Sequence, residues 1–408
     1  MRTFLLASLL ATLPTAAVAD PLTFDDALAV AAAQAPSLKA RSFDVEARRS
    51  SATAAGQLPD PRLGAGLDNV PISGPPAFRF GRDEMTMARL GISQDVPNLA
   101  KRHARSGKAD ADIGVAEADA GAELRRVRVA TALAWIDLAY AQRRLGALDQ
   151  ALAELAQYVA PAASSVASGS ARPAQTLEIR QAIAALEDRR SEVAAEVARA
   201  RAILSRWTGD PSPEIEGAIP NFAIEPEALR ATIDRHPDLA AVIARVRAAE
   251  ADVSLARAEK RPDWGFELAY QKRGSGYGDM VSLGATMSLP LFTRKRQDPR
   301  IDAAVASEGA VLAQREDVRR ALRAELEAGL ADHVMHHGQW MRAKDTLLPL
   351  ARQRADLETV SYSAGRATLL DLIQAQTMFA GAALQMLDRE ATVARDAARL
   401  VLTYGGDQ

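Results

Sequence analysis

The chain of 408 residues contains no cysteine. That absence excludes disulfides, thiol nucleophiles and thiolate metal sites together. Aromatic residues make up only 5%, and the formal net charge is −2. With no basic excess and no stacking platform, nothing favours nucleic acid as a partner. Beyond the N-terminus no run of 18 apolar residues occurs, so no transmembrane helix is expected. Catalytic constellations are missing as well. "SGK" at 106–108 and "RGSGYGD" at 273–279 lack the strand–GxxxxGK[ST]–helix setting of a phosphate loop. The second reads as an exposed hairpin loop. No enzyme activity and no cofactor are expected.

What is present begins with "MRTFLLASLLATLPTAAVAD": one Arg, an apolar run from Phe4 to Leu13, and small residues at Ala17 and Ala19. This is the pattern of a secretory signal at 1–19, cleaved before Asp20. No Cys follows that site to carry lipid. An exported chain without an apolar helix is either soluble outside the inner membrane or a barrel in the outer one.

The rest of the chain repeats itself. "LPDPRLG" at 58–64 matches "EKRPDWGF" at 259–266, and "SGSARPAQTLEIRQA" at 168–182 aligns without gaps to "SYSAGRATLLDLIQA" at 361–375. The expected division is a first repeat at 20–207, a Pro- and Gly-rich linker at 208–226 and a second repeat at 227–405. Each repeat reads helix, strand, loop, strand, long helix, turn, helix.

The hairpins, expected at about 61–97 and 262–292, carry period-two alternation. In the second, Trp264, Phe266, Leu268 and Tyr270 point one way, and Gly265, Glu267, Ala269 and Gln271 the other. After the turn, Val281, Leu283, Ala285, Met287 and Leu289 alternate with Ser282, Gly284, Thr286 and Ser288. In the first, Leu63, Ala65 and Leu67 are followed by Thr86, Ala88, Leu90 and Ile92.

The helices carry heptads. From Leu124 one seam runs Val127, Thr131, Ala134, Leu138, Ala141, Leu145, Leu148, Leu152, Leu155, Val159, within a helix expected from about Leu99 to Ser168. A second runs from Ile179 to Leu204, and a third through Leu369, Leu372, Gln376, Phe379, Ala383, Met386, Glu390, Val393, Ala397 and Leu400. Seams alone fit a plain helical bundle. A bundle has no use for an alternating aromatic strand, whereas a tilted strand of about ten alternating residues can line a membrane barrel. The face of Trp264, Phe266, Leu268 and Tyr270 is then expected against lipid, with Glu267 and Gln271 toward a wet lumen. Four strands cannot close a barrel, so several chains must contribute.

In its ordered set of motifs the chain resembles the outer membrane factor family, the TolC-type channels. The residues that carry this are "LTFDDALAVAAAQAPSLKA", "LPDPRLGAGLDNVP", "LGISQDVPNLAKR", "SLPLFTRKR" and "YSAGRATLLDLIQAQ". The stretch "DNVPISGPPAFRFGRDEMTMARLGISQDVPNLAKR" is most similar to the heavy-metal branch, which serves copper, silver or cobalt–zinc–cadmium pumps. The fold this implies is mainly α with a β-barrel portion. Three copies would build a twelve-stranded outer membrane barrel and a long coiled-coil tunnel through the periplasm. The implied function is a passive exit duct, with a periplasmic adaptor and a proton-driven inner-membrane transporter as partners and outer membrane lipid around the barrel. A duct for drugs or for type I secretion is the alternative within the family; a periplasmic adaptor or a secreted coiled-coil scaffold leaves the paired hairpins unexplained.

The resemblance also implies site residues. The turns Ala364-Gly365-Arg366 and, by alignment, Ala171-Arg172-Pro173 are expected to dock the adaptor. Asp371 is expected to form a cation-attracting ring at the periplasmic aperture, with Glu178 as its counterpart. Asp371 is also placed as a helix-start acid would be. Where relatives carry a further aspartate, this chain has Gln374 and Gln181. Leu99-Ala100 stands where many relatives have glycine, before Lys101-Arg102. Those cations and Arg294-Lys295-Arg296 are expected to form a basic collar at the membrane boundary or a solvated junction. His333 and His337 have ligand spacing but no third ligand, so they read as seam residues, and His103 and His236 as structural.

Overall fold

The computed structural model describes residues 21–79, 82–169 and 172–405; the expected signal segment lies outside them. Two similar successions of elements follow one another. The first is α1 (Phe24–Gln34), α2 (Pro36–Ala55), β1 (Arg62–Asp68), β2 (Met87–Val96), α3 (Leu99–Ala156), α4 (Val159–Ala167) and α5 (Pro173–Thr208). The second is α6 (Pro226–Thr232), α7 (Pro237–Ala258), β3 (Trp264–Arg273), β4 (Met280–Met287), α8 (Thr293–Arg342), α9 (Leu348–Ser363) and α10 (Leu369–Tyr404). Among the described residues no helix is long and apolar enough to cross a membrane.

Two compact units share these elements. One holds the residues up to Ala35, Val127–Ile224 and Gly329–Leu402; the other holds Pro36–Arg126, Glu225–Ala328 and the residues from Thr403. The first is a heptad-packed bundle. Val127, Thr131, Leu138, Leu148 and Leu155 of α3 are at most 1% exposed, as are Ile179, Val193 and Leu204 of α5. The seams of α3 and α5 therefore pack as their 3,4 spacing predicts. On α10 only the ends of the expected seam are buried, at Leu369, Leu372, Ala397 and Leu400, while Phe379, Ala383, Met386 and Val393 keep partial exposure. The N-terminal segment is pinned to this unit. Thr23 caps α1 by accepting from Asp26 N–H at 3.2 Å. Phe24 meets Trp135 edge-on at 5.6 Å, and the Trp135 indole donates to the Leu22 carbonyl at 3.1 Å.

The helix expected to run unbroken to Ser168 stops at Ala156, and α4 restarts at Val159. Pro161 is the physical reason: it has no N–H to bond the carbonyl four residues back, and its ring clashes there. The chain tightens instead, with Tyr158 N–H on the Leu155 carbonyl at 3.1 Å. The second succession has a different interruption. Ala343–Leu347 form a π turn, in which Leu348 N–H reaches the Ala343 carbonyl, just before Pro349.

The second unit contains the sheet, an antiparallel meander in the order β1-β2-β3-β4. The two hairpins join through β2 and β3, with Val96 opposite Trp264, Ile92 opposite Leu268 and Met87 opposite Arg273. Among the described residues β1 and β4 each have a strand partner on one side only.

Candidate functional sites

In an antiparallel sheet directly opposed residues share a face. The register therefore gathers Leu63, Ala65 and Leu67 with Ala88, Leu90 and Ile92, then Trp264, Phe266, Leu268 and Tyr270, then Val281, Leu283, Ala285 and Met287. The large members of this set are 43–83% exposed, although they form one contiguous apolar surface. Keeping a single such side chain out of water is worth roughly 1.5–3 kcal/mol, so leaving this face in water is costly.

Apart from Met87 and Met280 toward its far end, the opposite face is polar or small. Arg89 pairs with Glu267 and lies 3.9 Å from Asp68. Arg62 pairs with Asp95 at 2.7 Å, and Ser282 donates to Gln271 at 3.1 Å. The expected wet positions Glu267 and Gln271 both lie here. A methyl group added at Gly265 would come within 2.6 Å of the Thr286 hydroxyl, so glycine there permits close strand approach.

A polar clamp closes the end of the sheet where the helices begin. Asn98 caps α3 by accepting from Lys101 N–H at 2.8 Å. Its own N–H and side-chain amide donate to Asp263 Oδ1 at 2.8 and 2.9 Å, and Lys101 pairs with Asp263 Oδ2 at 2.7 Å. Asp263 N–H in turn donates to the Ser288 hydroxyl at 2.8 Å. Through its carboxylate and its backbone N–H together, Asp263 thus ties the β2–α3, α7–β3 and β4–α8 junctions. Partial burial pushes the Asp263 pKa up, but the Lys101 ammonium and the Asn98 donors outweigh it and hold the group below its ordinary value. Arg102 donates to the Gly56 carbonyl at 2.9 Å. Lys101 and Arg102 are therefore bound within the chain and do not form the expected collar. Leu99 opens α3 directly after the Asn98 cap. Asp263 escaped notice in the sequence because its partners lie about 160 positions away, with no local motif to announce them.

In the first unit two helical turns meet over one apolar cluster. Ala162, Ile179, Leu369, Leu372 and Ile373 form its buried part, with Tyr158 set edge-on to Tyr362 at 6.3 Å. The turn after α9 breaks at Gly365, with φ +71°, and Arg366 N–H returns to the Ser361 carbonyl at 2.8 Å. After α4 the left-handed residue is Gly169, with φ +77°. Arg172 and Pro173 instead begin α5, Pro173 occupying its first turn. Ala171 lies outside the described residues. Gapless alignment missed Gly169 because the two turns place their left-handed glycine at different offsets.

Asp371 and Glu178 each adjoin a member of that cluster, Leu372 and Ile179. Asp371 is exposed and makes a reciprocal cap with Thr368: its carboxylate accepts from Thr368 N–H at 2.9 Å and hydroxyl at 2.6 Å, while Asp371 N–H donates to Thr368 Oγ1 at 3.2 Å. These bonds hold its pKa below the ordinary carboxylate value, helped by Arg354. Glu178 differs, since its Oε2 is shielded from water without a hydrogen-bond partner among the described residues.

No group of three or more His, Cys, Asp or Glu able to hold a metal occurs among the described residues. His333 is partly buried, which lowers its pKa, while His337 is exposed and meets Trp340 edge-on at 5.5 Å. His336, not flagged by the spacing, pairs with Asp396 at 2.7 Å. His236 is structural: it is 4% exposed and caps α7 by accepting from Asp238 N–H at 3.2 Å.

Residues 228–406 match the family model described as outer membrane efflux protein. The cobalt-zinc-cadmium resistance protein CzcC of Cupriavidus metallidurans is 25% identical over 371 residues, covering 88% of this chain and 85% of that one. A crystal structure of CusC has a TM-score of 0.79 at 15% identity, covering 94% of this chain and 92% of its own. The Campylobacter jejuni CmeC outer membrane channel also has a TM-score of 0.79, at 13% identity, covering 94% of this chain and 85% of its own. These two structures establish the likeness of fold.

Proposed function

We propose that the chain is a member of the outer membrane efflux protein family, whose model matches residues 228–406, and that it is the passive exit duct of a tripartite pump for heavy-metal cations. The observation that carries the reading is the two-faced sheet: a contiguous apolar surface, a polar and small-residue reverse, and two strand edges unpaired within the chain. Because the four strands alternate in direction, β4 of one copy runs antiparallel to β1 of the next. Three copies then close a twelve-stranded barrel with no free edge, the apolar face toward lipid and the Arg89–Glu267 pairs toward water. The heptad helices form the periplasmic tunnel. The metal assignment is supported by the similarity to a cobalt-zinc-cadmium resistance protein. A proton-driven transporter in the inner membrane supplies the cations through an adaptor docked on the turns at Ala364-Gly365-Arg366 and Ala171-Arg172-Pro173.

At the periplasmic mouth, symmetry-related Asp371 carboxylates form a cation-attracting ring, with Glu178 contributing beside it. Planar-bilayer recording with two variants separates the ring from the cap. Asp371→Asn keeps an acceptor for Thr368 but removes the charge; it is expected to reduce cation preference and block by cadmium added on the periplasmic side. Thr368→Ala weakens the cap and keeps the charge, so selectivity and block should persist. Unchanged selectivity and block in Asp371→Asn leave Asp371 as a helix-start acid only. Sensitivity of a deletion strain to cadmium salts, against sensitivity to hydrophobic drugs, distinguishes a metal duct from a drug duct.

A further inference from the structure

The two basic runs at the strand-to-helix junctions have different fates. Lys101 and Arg102 are bound within the chain. Arg294, Lys295 and Arg296 are exposed, and their side chains have no ion pair or hydrogen bond among the described residues. Nearby carboxylates are already engaged: Asp298 by Lys260 at 2.5 Å and Glu259 by Arg300 at 3.1 Å. Nor does helix stability account for the run. The three cations stand in the opening turns of α8, where the helix dipole disfavours positive charge, and its first turn holds no acid.

Directly before them Leu289, Leu291 and Phe292 are 58%, 74% and 70% exposed. These residues continue the chain from β4, whose Met287 sits opposite Trp264 at the helix-bearing end of the apolar face. Apolar side chains contiguous with a lipid-facing surface, followed at once by unpaired cations, match the boundary between acyl chains and headgroups. We propose that residues 289–296 form a seat for the phosphate headgroup of an anionic phospholipid, in the leaflet at the helix-bearing end of the barrel. Phe292 and its leucine neighbours enter the acyl region; Arg294, Lys295 and Arg296 meet the phosphate. This rests on the barrel reading above.

The test is native mass spectrometry of the full-length protein, extracted from outer membranes and titrated with phosphatidylglycerol or phosphatidylcholine. The wild type should bind phosphatidylglycerol preferentially. A variant with Arg294→Gln, Lys295→Gln and Arg296→Gln should lose affinity for it by roughly a hundredfold, at about fivefold per cation, and bind phosphatidylcholine as the wild type does. Phe292→Ala should weaken both lipids alike. The proposal is overturned if the triple variant retains phosphatidylglycerol as the wild type does. It is also overturned if that variant falls into single chains regardless of lipid, which would make the cations a contact between copies. A wild type that is absent from outer membranes overturns the barrel reading and this seat with it. A wild type that is present there but prefers no anionic lipid overturns the seat alone.

Discussion

Leu268→Arg is expected to block assembly of the protein in the outer membrane. Leu268 is 47% exposed, near the middle of β3, with Ile92 on one side and Leu283 on the other. An arginine on the lipid face near the bilayer midplane costs about 2–4 kcal/mol in each chain, and a symmetric barrel incurs the cost once per copy. Gln271→Arg changes a residue three positions away on the polar face and should assemble normally, since water can solvate the added charge. The measurement is the heat-modifiable oligomer recovered from outer membranes. Recovery of Leu268→Arg at the wild-type level, with Gln271→Arg blocked, would invert the assignment of faces.

Asp263→Ala is the second large effect expected. It strips Lys101 of its counter-ion and Asn98 of two acceptor contacts, releasing the β2–α3 junction from the α7–β3 junction, while the backbone contacts of residue 263 to Ser288 remain. Hydrogen bonds to a charged group are worth about 1.5–3 kcal/mol. Because the Asp263 side chain keeps 31% of its surface exposed, a loss of about 2 kcal/mol is expected, less than for a fully buried pair. The pH dependence follows from the lowered pKa of Asp263. A carboxylate whose folded pKa is depressed contributes stability above its unfolded pKa and loses it as pH falls through the folded one. The advantage of wild type over Asp263→Asn should therefore be complete at neutral pH and fade as pH falls below about 4. Denaturant unfolding of the reconstituted protein across that range measures it. A wild-type advantage independent of pH would mean that the clamp acts by shape and not by charge.

How much of this was legible in the sequence depended on whether the signal was local. Most of the α3 and α5 seams, read from 3,4 spacing, are buried or half-buried because heptad packing is written into consecutive turns, with Leu124 and Arg190 exposed. The alternation in β3 and β4 was equally local, and Trp264, Phe266, Leu268 and Tyr270 do share one exposed face. Pro161 is in plain view beyond the end of the seam, and its missing N–H is what separates the observed end at Ala156 from the expected one at Ser168. The middle of the α10 seam misled in another way: periodicity identifies an apolar stripe without saying whether one chain suffices to cover it. What could not be read was nonlocal. The register of β2 on β3 joins strands with a whole helical hairpin between them, and it alone brings Arg89 to Glu267 and Asn98 to Asp263. The same limit hid the fate of the basic residues. Lys101-Arg102 and Arg294-Lys295-Arg296 are alike as sequence, and only the fold shows that the first pair has partners and the second run has none. At the turns, the αL glycines were available to inspection, but alignment favoured Arg172-Pro173 over Gly169.

The central claim is that one chain supplies a third of a membrane barrel whose apolar face meets lipid and whose open edges meet copies of itself. The mass of the complex extracted unheated from outer membranes, read by native mass spectrometry, tests it most directly. The account predicts a species of three chains that collapses to one on heating. A single chain in unheated extract, stable and with its β1 and β4 edges unpaired, would contradict it.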